Sequence, residues 1–584
     1  MTKTGGPVDC SVKARAAGES REESSCLKKP FWGNWRVTKS CILRQAPWLL
    51  SVFMVFAIAL YKLSEFIQAL PKYLPIDDGY IILHFARNVV ERHEFFSYNP
   101  GVISTGITSP LYCLALAAAH FFCGNGDASW PMAIVCVGTL SFIAIILMGS
   151  RFAYLMAGYP AALCFGAFFG FWGYMSFFAL CGMEPILYIA VSFAAFLLVY
   201  HRNFFLAGLF TGLAMLCRPE AIFLAVILGL IPAISLLMRL SKKDWAGGRI
   251  EFFNAAYFGI GFLLAILPWV VRCHQISGGF MSSTVTMKTY PTTLKQAVDF
   301  WAVAIHMYNP ASYDASIIKS VAEETAFIVF RKHVPLMLIA AFSLWFLRKR
   351  PELFAPYMYI PLHLLVAGLK NPGMGDNERY FPFDYAVTLL YLSALLGFLI
   401  NLNWRAMPGL FRTKTVGWGL KSVFVSVALA LAGMILSDYS RNIIHYRVMS
   451  KYFYHLDYQI GEWLAKNTPP ETTVALFQAG GIAFFSRRRI IDGGGVTEHT
   501  IWPYLKRQAF LEAMVDRDAD FVASFGPDWL KQEGVLMTDT RYFRQIPLAC
   551  RGLYAINKPA LRAFVQQRRQ HPAFGPTVER SIKW

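Results

Sequence analysis

Two adjacent carboxylates, Asp77 and Asp78, lie in the segment Pro75-Ile76-Asp77-Asp78-Gly79-Tyr80-Ile81, soon after the first strongly apolar run of the chain. Paired carboxylates are what general-base or metal work requires. The structural alternative is helix capping, because an Asp that follows a proline and precedes an apolar-periodic run is a good N-cap. One Asp suffices for a cap, so capping leaves the second unexplained. Glu184 sits between two apolar runs, where an ionisable group is costly and usually functional. Its structural alternative is the start of a helix at an interface. Arg218 and Glu220 flank Pro219 and are expected to pair with each other. His84 and His93 follow the Asp pair without metal-ligand spacing, so solvated or capping roles are expected. Thr108-Ser109-Pro110 reads as the cap of a second span. Asp492-Gly493-Gly494-Gly495 reads as a turn after a strand, and Arg487-Arg488-Arg489 as a solvated face.

The elements that must position these groups follow from composition. Of 584 residues, 56% are hydrophobic and only 16% charged, against about 25% charged in soluble proteins. Such a chain cannot hide its apolar surface in ordinary globular cores. The 49 Phe, 27 Tyr and 15 Trp suit lipid contact and interfacial belts. Low charge excludes a disordered or nucleic-acid-coating chain despite the net charge of +19. The 11 cysteines are odd in number and include no CxxC pair, so buried free thiols are expected rather than a disulfide framework or zinc site.

Residues 1–44 are polar and read as a cytoplasmic tail, followed by an uncleaved span at 46–62. Charge-poor runs follow at 109–123, 131–150, 152–183, 185–200, 203–217, 221–238, 252–271, 334–347, 353–369, 383–404 and 422–437. Lys and Arg in 239–251, 348–350 and 405–421 mark those loops as cytoplasmic. Loops 63–108, 272–333 and 370–382, and everything after 438, then face outward. An odd number of crossings must separate residue 80 from residue 245. The preferred solution splits 152–183 into two short helices near Gly170–Gly173; the alternative is that one short run does not cross. The fold class expected is mainly α, a polytopic helical bundle of about 11–13 spans over 45–438, with an exported α/β domain at 439–584. That domain carries 20 Lys and Arg against 13 Asp and Glu. It shows strand-like runs at 472–477, 519–525 and 553–557 and helical patterns at 447–467 and 501–516.

Asp77-Asp78-Gly79-Tyr80-Ile81, Arg87-Asn88, Asn99-Pro100-Gly101 and Thr108-Ser109-Pro110-Leu111 resemble the first outer loop of GT-C glycosyltransferases. The resemblance is closest to the arabinofuranosyltransferase-like branch, with lipid A aminoarabinose transferases and protein O-mannosyltransferases further off. Gly182-Met183-Glu184-Pro185, Cys217-Arg218-Pro219-Glu220, Lys288 beyond Arg272, and Glu378-Arg379-Tyr380-Phe381-Pro382 follow in the family's order. Gln478-Ala479-Gly480-Gly481-Ile482, then Ile490-Ile491-Asp492, resembles its exported domain. Two places depart from the pattern. Ser282-Ser283 stand before Thr284 where the family often has Pro-Asn, and His93-Glu94 replaces a small basic or glycine-rich tract.

The resemblance implies an inverting, multi-pass enzyme of the cytoplasmic membrane with its C-terminal domain outside. It would take a sugar from a polyprenyl-phosphate donor and pass it to an envelope glycan, lipid or protein, with membrane lipids as its surroundings and no nucleic-acid partner. A phosphate leaving group needs little help, so the enzyme mainly needs a base for the acceptor hydroxyl and cations for the phosphate. Asp77 or Asp78 is the base on this reading, and Lys288, Arg379 and Arg272 are the phosphate binders. Glu184, Tyr80, Arg87, Asn88 and Glu378 bind substrate or support the site. No cofactor is called for, and a divalent cation stays open. The alternatives are a transporter or flippase of lipid-linked sugars and a non-catalytic scaffold. The absence of an internal repeat and the clustering of charge in outer loops weigh against a transporter.

Overall fold

Apolar runs of this length fold as helices, because a helix pairs its own backbone N–H and C=O groups without water. The computed structural model describes residues 73–282, 334–367, 380–401, 441–523, 530–548 and 552–570, apart from 125 and 128, with scattered positions at 53–68 and at 422, 426 and 433. The first loop carries α1 (Asp77–Arg92) and α2 (Pro110–Cys123). The bundle continues with α3 (Ser129–Ala157), α4 (Tyr159–Phe171), α5 (Gly173–Leu180), α6 (Pro185–Tyr200), α7 (Phe204–Cys217), α8 (Ala221–Ser241) and α9 (Trp245–Ser277). After an interval come α10 (Val334–Ala341), α11 (Ser343–Leu347), α12 (Tyr359–Ala367) and α13 (Pro382–Asn401). Four of these, α3, α8, α9 and α13, are long and apolar enough to cross a membrane; α4 and α5, bent by 59° at their break, pass the same test only when taken together. The break falls at Trp172, between Phe171 and Gly173.

The helices can be set beside two expectations about the apolar runs. The stretch 152–183 is broken near Gly170–Gly173 as expected: α3 occupies it up to Ala157, and α4 and α5 part at Trp172. The run 109–123 forms α2, which is 14 residues long. Both ends of α2 meet the C-terminal domain, through Ser104 and Thr497 before it and through Asp127 and Arg487, 2.6 Å apart, after it. Ser109 does occupy the N-cap of α2 with Pro110 behind it, but its side chain makes no capping hydrogen bond.

Backbones approach closely where glycines allow it. Gly208 of α7 faces the carbonyl of Phe258, and Gly261 of α9 faces that of Phe205, with no room for a Cβ at either. Small residues at such crossings give bundles in lipid their van der Waals contact. The bundle core gathers Phe142, Phe165, Phe169, Phe193, Phe196 and Tyr391. A second apolar cluster is shared: Tyr80, Phe85, Tyr98, Tyr112 and Trp130 pack with Tyr458, Val474, Ile482 and Phe484 of the C-terminal domain.

That domain opens with α14 (Gln459–Asn467) and then β1 (Thr473–Leu476), α15 (Gly481–Ser486) and β2 (Arg489–Asp492). It closes with α16 (Phe510–Asp516), β3 (Phe521–Ala523), β4 (Phe543–Ile546), β5 (Leu553–Ile556) and α17 (Lys558–Gln570). The sheet order is β2-β1-β3-β5-β4, parallel across β2-β1-β3 and antiparallel beyond. β1, β3 and β5 are the three expected runs. β4 has the burial pattern of a half-covered edge strand and carries Arg544 and Gln545, so no apolar run marked it. The expected helix 501–516 is broken after Lys506 and resumes at Phe510.

Candidate active site

Asp77 opens α1 but does not cap it. The N-cap is Ile76, without a side-chain cap. The Asp77 carboxylate instead accepts the backbone N–H groups of Gly480 at 2.9 Å and Gly481 at 2.6 Å, where β1 hands over to α15. Burial pushes its pKa up to about 7, and the negative charges of Asp457 and Asp78 push the same way. The two N–H donors favour the ionised form but do not offset burial. Asp77 is buried and Asp78 half-buried. Gly79 presses on the next helix break: a Cβ there would stand 2.9 Å from the Cys181 carbonyl.

That break leads to Glu184, at the N-cap of α6. Arg218, between α7 and α8, reaches Glu184 at 2.7 Å and Glu220 at 3.4 Å, and all three are buried. The expected Arg218–Glu220 pair is therefore present, with Glu184 as the shorter partner. The Arg218 guanidinium also stands 5.5 Å from the Tyr380 ring. Beside this triad lies a pair that sequence reasoning missed: His363 Nδ1 and Asp384 Oδ2, 2.8 Å apart and buried. Histidine and aspartate 21 positions apart on two helices carry no spacing signal. Leu180 accepts from Tyr446, at the start of the C-terminal domain, which puts the Glu184 break on that domain's side of the bundle.

Other expected residues act as posts. Tyr80 accepts the N–H of Leu74 and packs edge-on against Tyr458. Arg87 donates to the Phe484 carbonyl at 2.6 Å and stands beside its ring. Asn88 donates to the carbonyls of Ser97 and Tyr98, folding the loop back on α1. Arg272 donates to the Phe95 carbonyl at 2.7 Å and lies by the Phe96 ring. Lys288, Glu378 and Arg379 lie outside the described residues. His84 lies between the Tyr98 carbonyl and Arg87, and His93 is the left-handed C-cap of α1. Arg487 pairs with Glu91 and Asp127, and Arg488 turns inward to the carbonyls of Ala465 and Thr468. Asp492 holds a turn by accepting from Gly494, Val496 and Thr497. Among the described residues, no group of three His, Cys, Asp or Glu side chains is arranged to hold a metal ion.

Sequence reasoning also missed the loop's grip on the domain. The Asn99 side chain pairs with Ile490 of β2 as a strand would, donating to its carbonyl and accepting its N–H, each at 2.8 Å. Tyr98 donates to the Ala479 carbonyl and Ser104 to that of Thr497. The adjacent glycines 480 and 481 were the available signal.

Solved structures share this architecture. ArnT from Cupriavidus metallidurans in the apo state aligns with a TM-score of 0.54 at 14% identity, over 87% of this chain and 98% of that one. The same protein bound to undecaprenyl phosphate gives a TM-score of 0.52 at 15% identity, over 86% and 97%. The chain shares the fold of these structures. Residues 443–572 match a family model described as a domain of unknown function, DUF8728. No curated protein matches the sequence.

Proposed function

We propose that the protein transfers a glycosyl group from a polyprenyl-phosphate sugar to a cell-envelope acceptor at the outer face of the cytoplasmic membrane. The acceptor hydroxyl oxygen bonds to the anomeric carbon with inversion, the bond to the phosphate oxygen breaks, and polyprenyl phosphate leaves. Asp77 takes the hydroxyl proton. The observation that carries this reading is a buried loop carboxylate whose pKa is raised to about 7, set on a GT-C fold. A base with a pKa near the working pH is the effective one. Asp78 beside it sustains that basicity through its charge. Arg272, with Lys288 and Arg379, supplies positive charge for the phosphate. ArnT binding undecaprenyl phosphate on the same fold supports a lipid-linked donor.

The test is transfer by purified protein from a panel of undecaprenyl-phosphate pentoses and hexoses to envelope lipid, glycan and protein fractions. Product should form with one donor and vanish in Asp77→Asn. Full turnover in an Asp77→Ala, Asp78→Ala double variant sinks the assignment. Movement of lipid-linked sugar across vesicles without transfer would make the protein a transporter.

A further inference from the structure

Residues 443–572 match a domain of unknown function, and the contacts of its sheet suggest a task. We propose that the C-terminal domain is a positioning module: the backbone N–H pair of Gly480 and Gly481 orients the Asp77 carboxylate, and the carboxyl-terminal edge of the sheet is committed to the first loop rather than to a substrate. The inference rests on Asp77 as the proton acceptor.

Open α/β sheets ordinarily take ligands in the crevice outside the carboxyl ends of their strands. Here that edge is taken by the protein itself. The segment after β1 holds Asp77 and receives the Tyr98 hydroxyl, and the segment after β2 receives Ser104. Asn99 meets the backbone of β2 with both its polar groups.

The approach is too close to be a loose tether. A Cβ on Gly480 would stand 2.6 Å from Asp77 Cγ and Oδ2, and one on Gly106 would run into the backbone of Thr497. The φ of Gly480 is −88°, open to L-residues, so the obstacle to a side chain there is steric. The apolar cluster shared by loop and domain excludes water from the junction. Domains that move apart meet through smaller, more polar interfaces. Two N–H donors, one to each oxygen, fix the plane of the carboxylate. Each oxygen keeps lone-pair capacity for a proton. Reacting groups must be held to within about 0.5 Å of productive geometry, and backbone donors on a folded sheet do this better than a free loop.

The experiment compares full-length wild type, Gly480→Ala and Gly259→Ala in detergent. Gly259 faces open space and serves as the control. Hydrogen exchange should rise at least tenfold for amides 77–98 in Gly480→Ala and stay unchanged in Gly259→Ala. With the undecaprenyl-phosphate sugar that turns over fastest, Gly480→Ala should lower kcat at least tenfold with donor KM within twofold. Binding of undecaprenyl phosphate alone should hold within twofold. A folded Gly480→Ala with full turnover, beside an inactive Asp77→Asn, overturns the positioning role and leaves the base assignment standing. Full turnover in Asp77→Asn removes the base assignment and the proposal with it. Should Gly480→Ala fail to fold, Tyr98→Phe removes one hydroxyl from the same junction; faster exchange with several-fold slower turnover supports the proposal, and unchanged values of both overturn it.

Discussion

Arg218 and Glu184 meet at 2.7 Å inside the bundle and join the α7–α8 break to the start of α6. With Glu220 as the second partner, one guanidinium serves two buried carboxylates. Removing one member of a buried ion pair leaves an uncompensated charge and costs about 3–5 kcal/mol. Arg218→Met should therefore lower the unfolding temperature in detergent sharply. Removing all three charges, as Glu184→Gln, Arg218→Met, Glu220→Gln, should recover part of the loss. An unchanged melting temperature in Arg218→Met would mean that the triad is not what ties the two breaks.

The rate of transfer should depend on pH through Asp77. A base acts when ionised, and burial has raised its pKa to about 7. Turnover should rise with pH and level off above neutrality. The charge of Asp78 pushes Asp77 upward, so Asp78→Asn should move the rising limb to lower pH without abolishing turnover. A pH–rate profile checks both signs, and an Asp78→Asn limb shifted to higher pH contradicts the assignment.

The sidedness of α2 has a direct test. Asp127→Cys should react with a membrane-impermeant maleimide from the same face as Lys506→Cys, while Lys242→Cys should be labelled from the opposite face. All three positions are exposed. Protection of residue 127 from the face that labels residue 506 would mean that α2 crosses.

Close helix contact predicts a sharp contrast along α9. Gly261 faces the Phe205 carbonyl with no space, whereas Gly259 has open space around it. Gly261→Leu should destabilise the protein by about 1–3 kcal/mol or more, as overpacking does. Gly259→Leu should leave the melting temperature within a degree or two, because it replaces nothing that packs. Equal effects would show that α7 and α9 adjust freely.

Much of the architecture was legible in the residues themselves. Long uncharged runs leave a chain no way to satisfy its backbone except as helices, and three of the five strands announced themselves by β-branched and apolar runs. The Asp pair, Glu184 and Arg218 stood out because charge is scarce in this chain and costly in apolar surroundings. Beyond the Arg218–Glu220 pair, sequence spacing was silent on which groups meet. Asp77 reads as a helix cap by every local rule, yet its carboxylate is claimed by Gly480 and Gly481, some four hundred residues on. The run 109–123 reads as a span, yet the chain on both sides of it is tied to the C-terminal domain, through Ser104 and through the Asp127–Arg487 pair. Local preferences are worth about 1 kcal/mol each, and burial at a junction outweighs them. The sequence alone decided which segments are apolar and which few residues can do chemistry. The tertiary structure alone decided that a distant domain holds the candidate base, because buried donors and acceptors find partners across space, wherever the chain brings them.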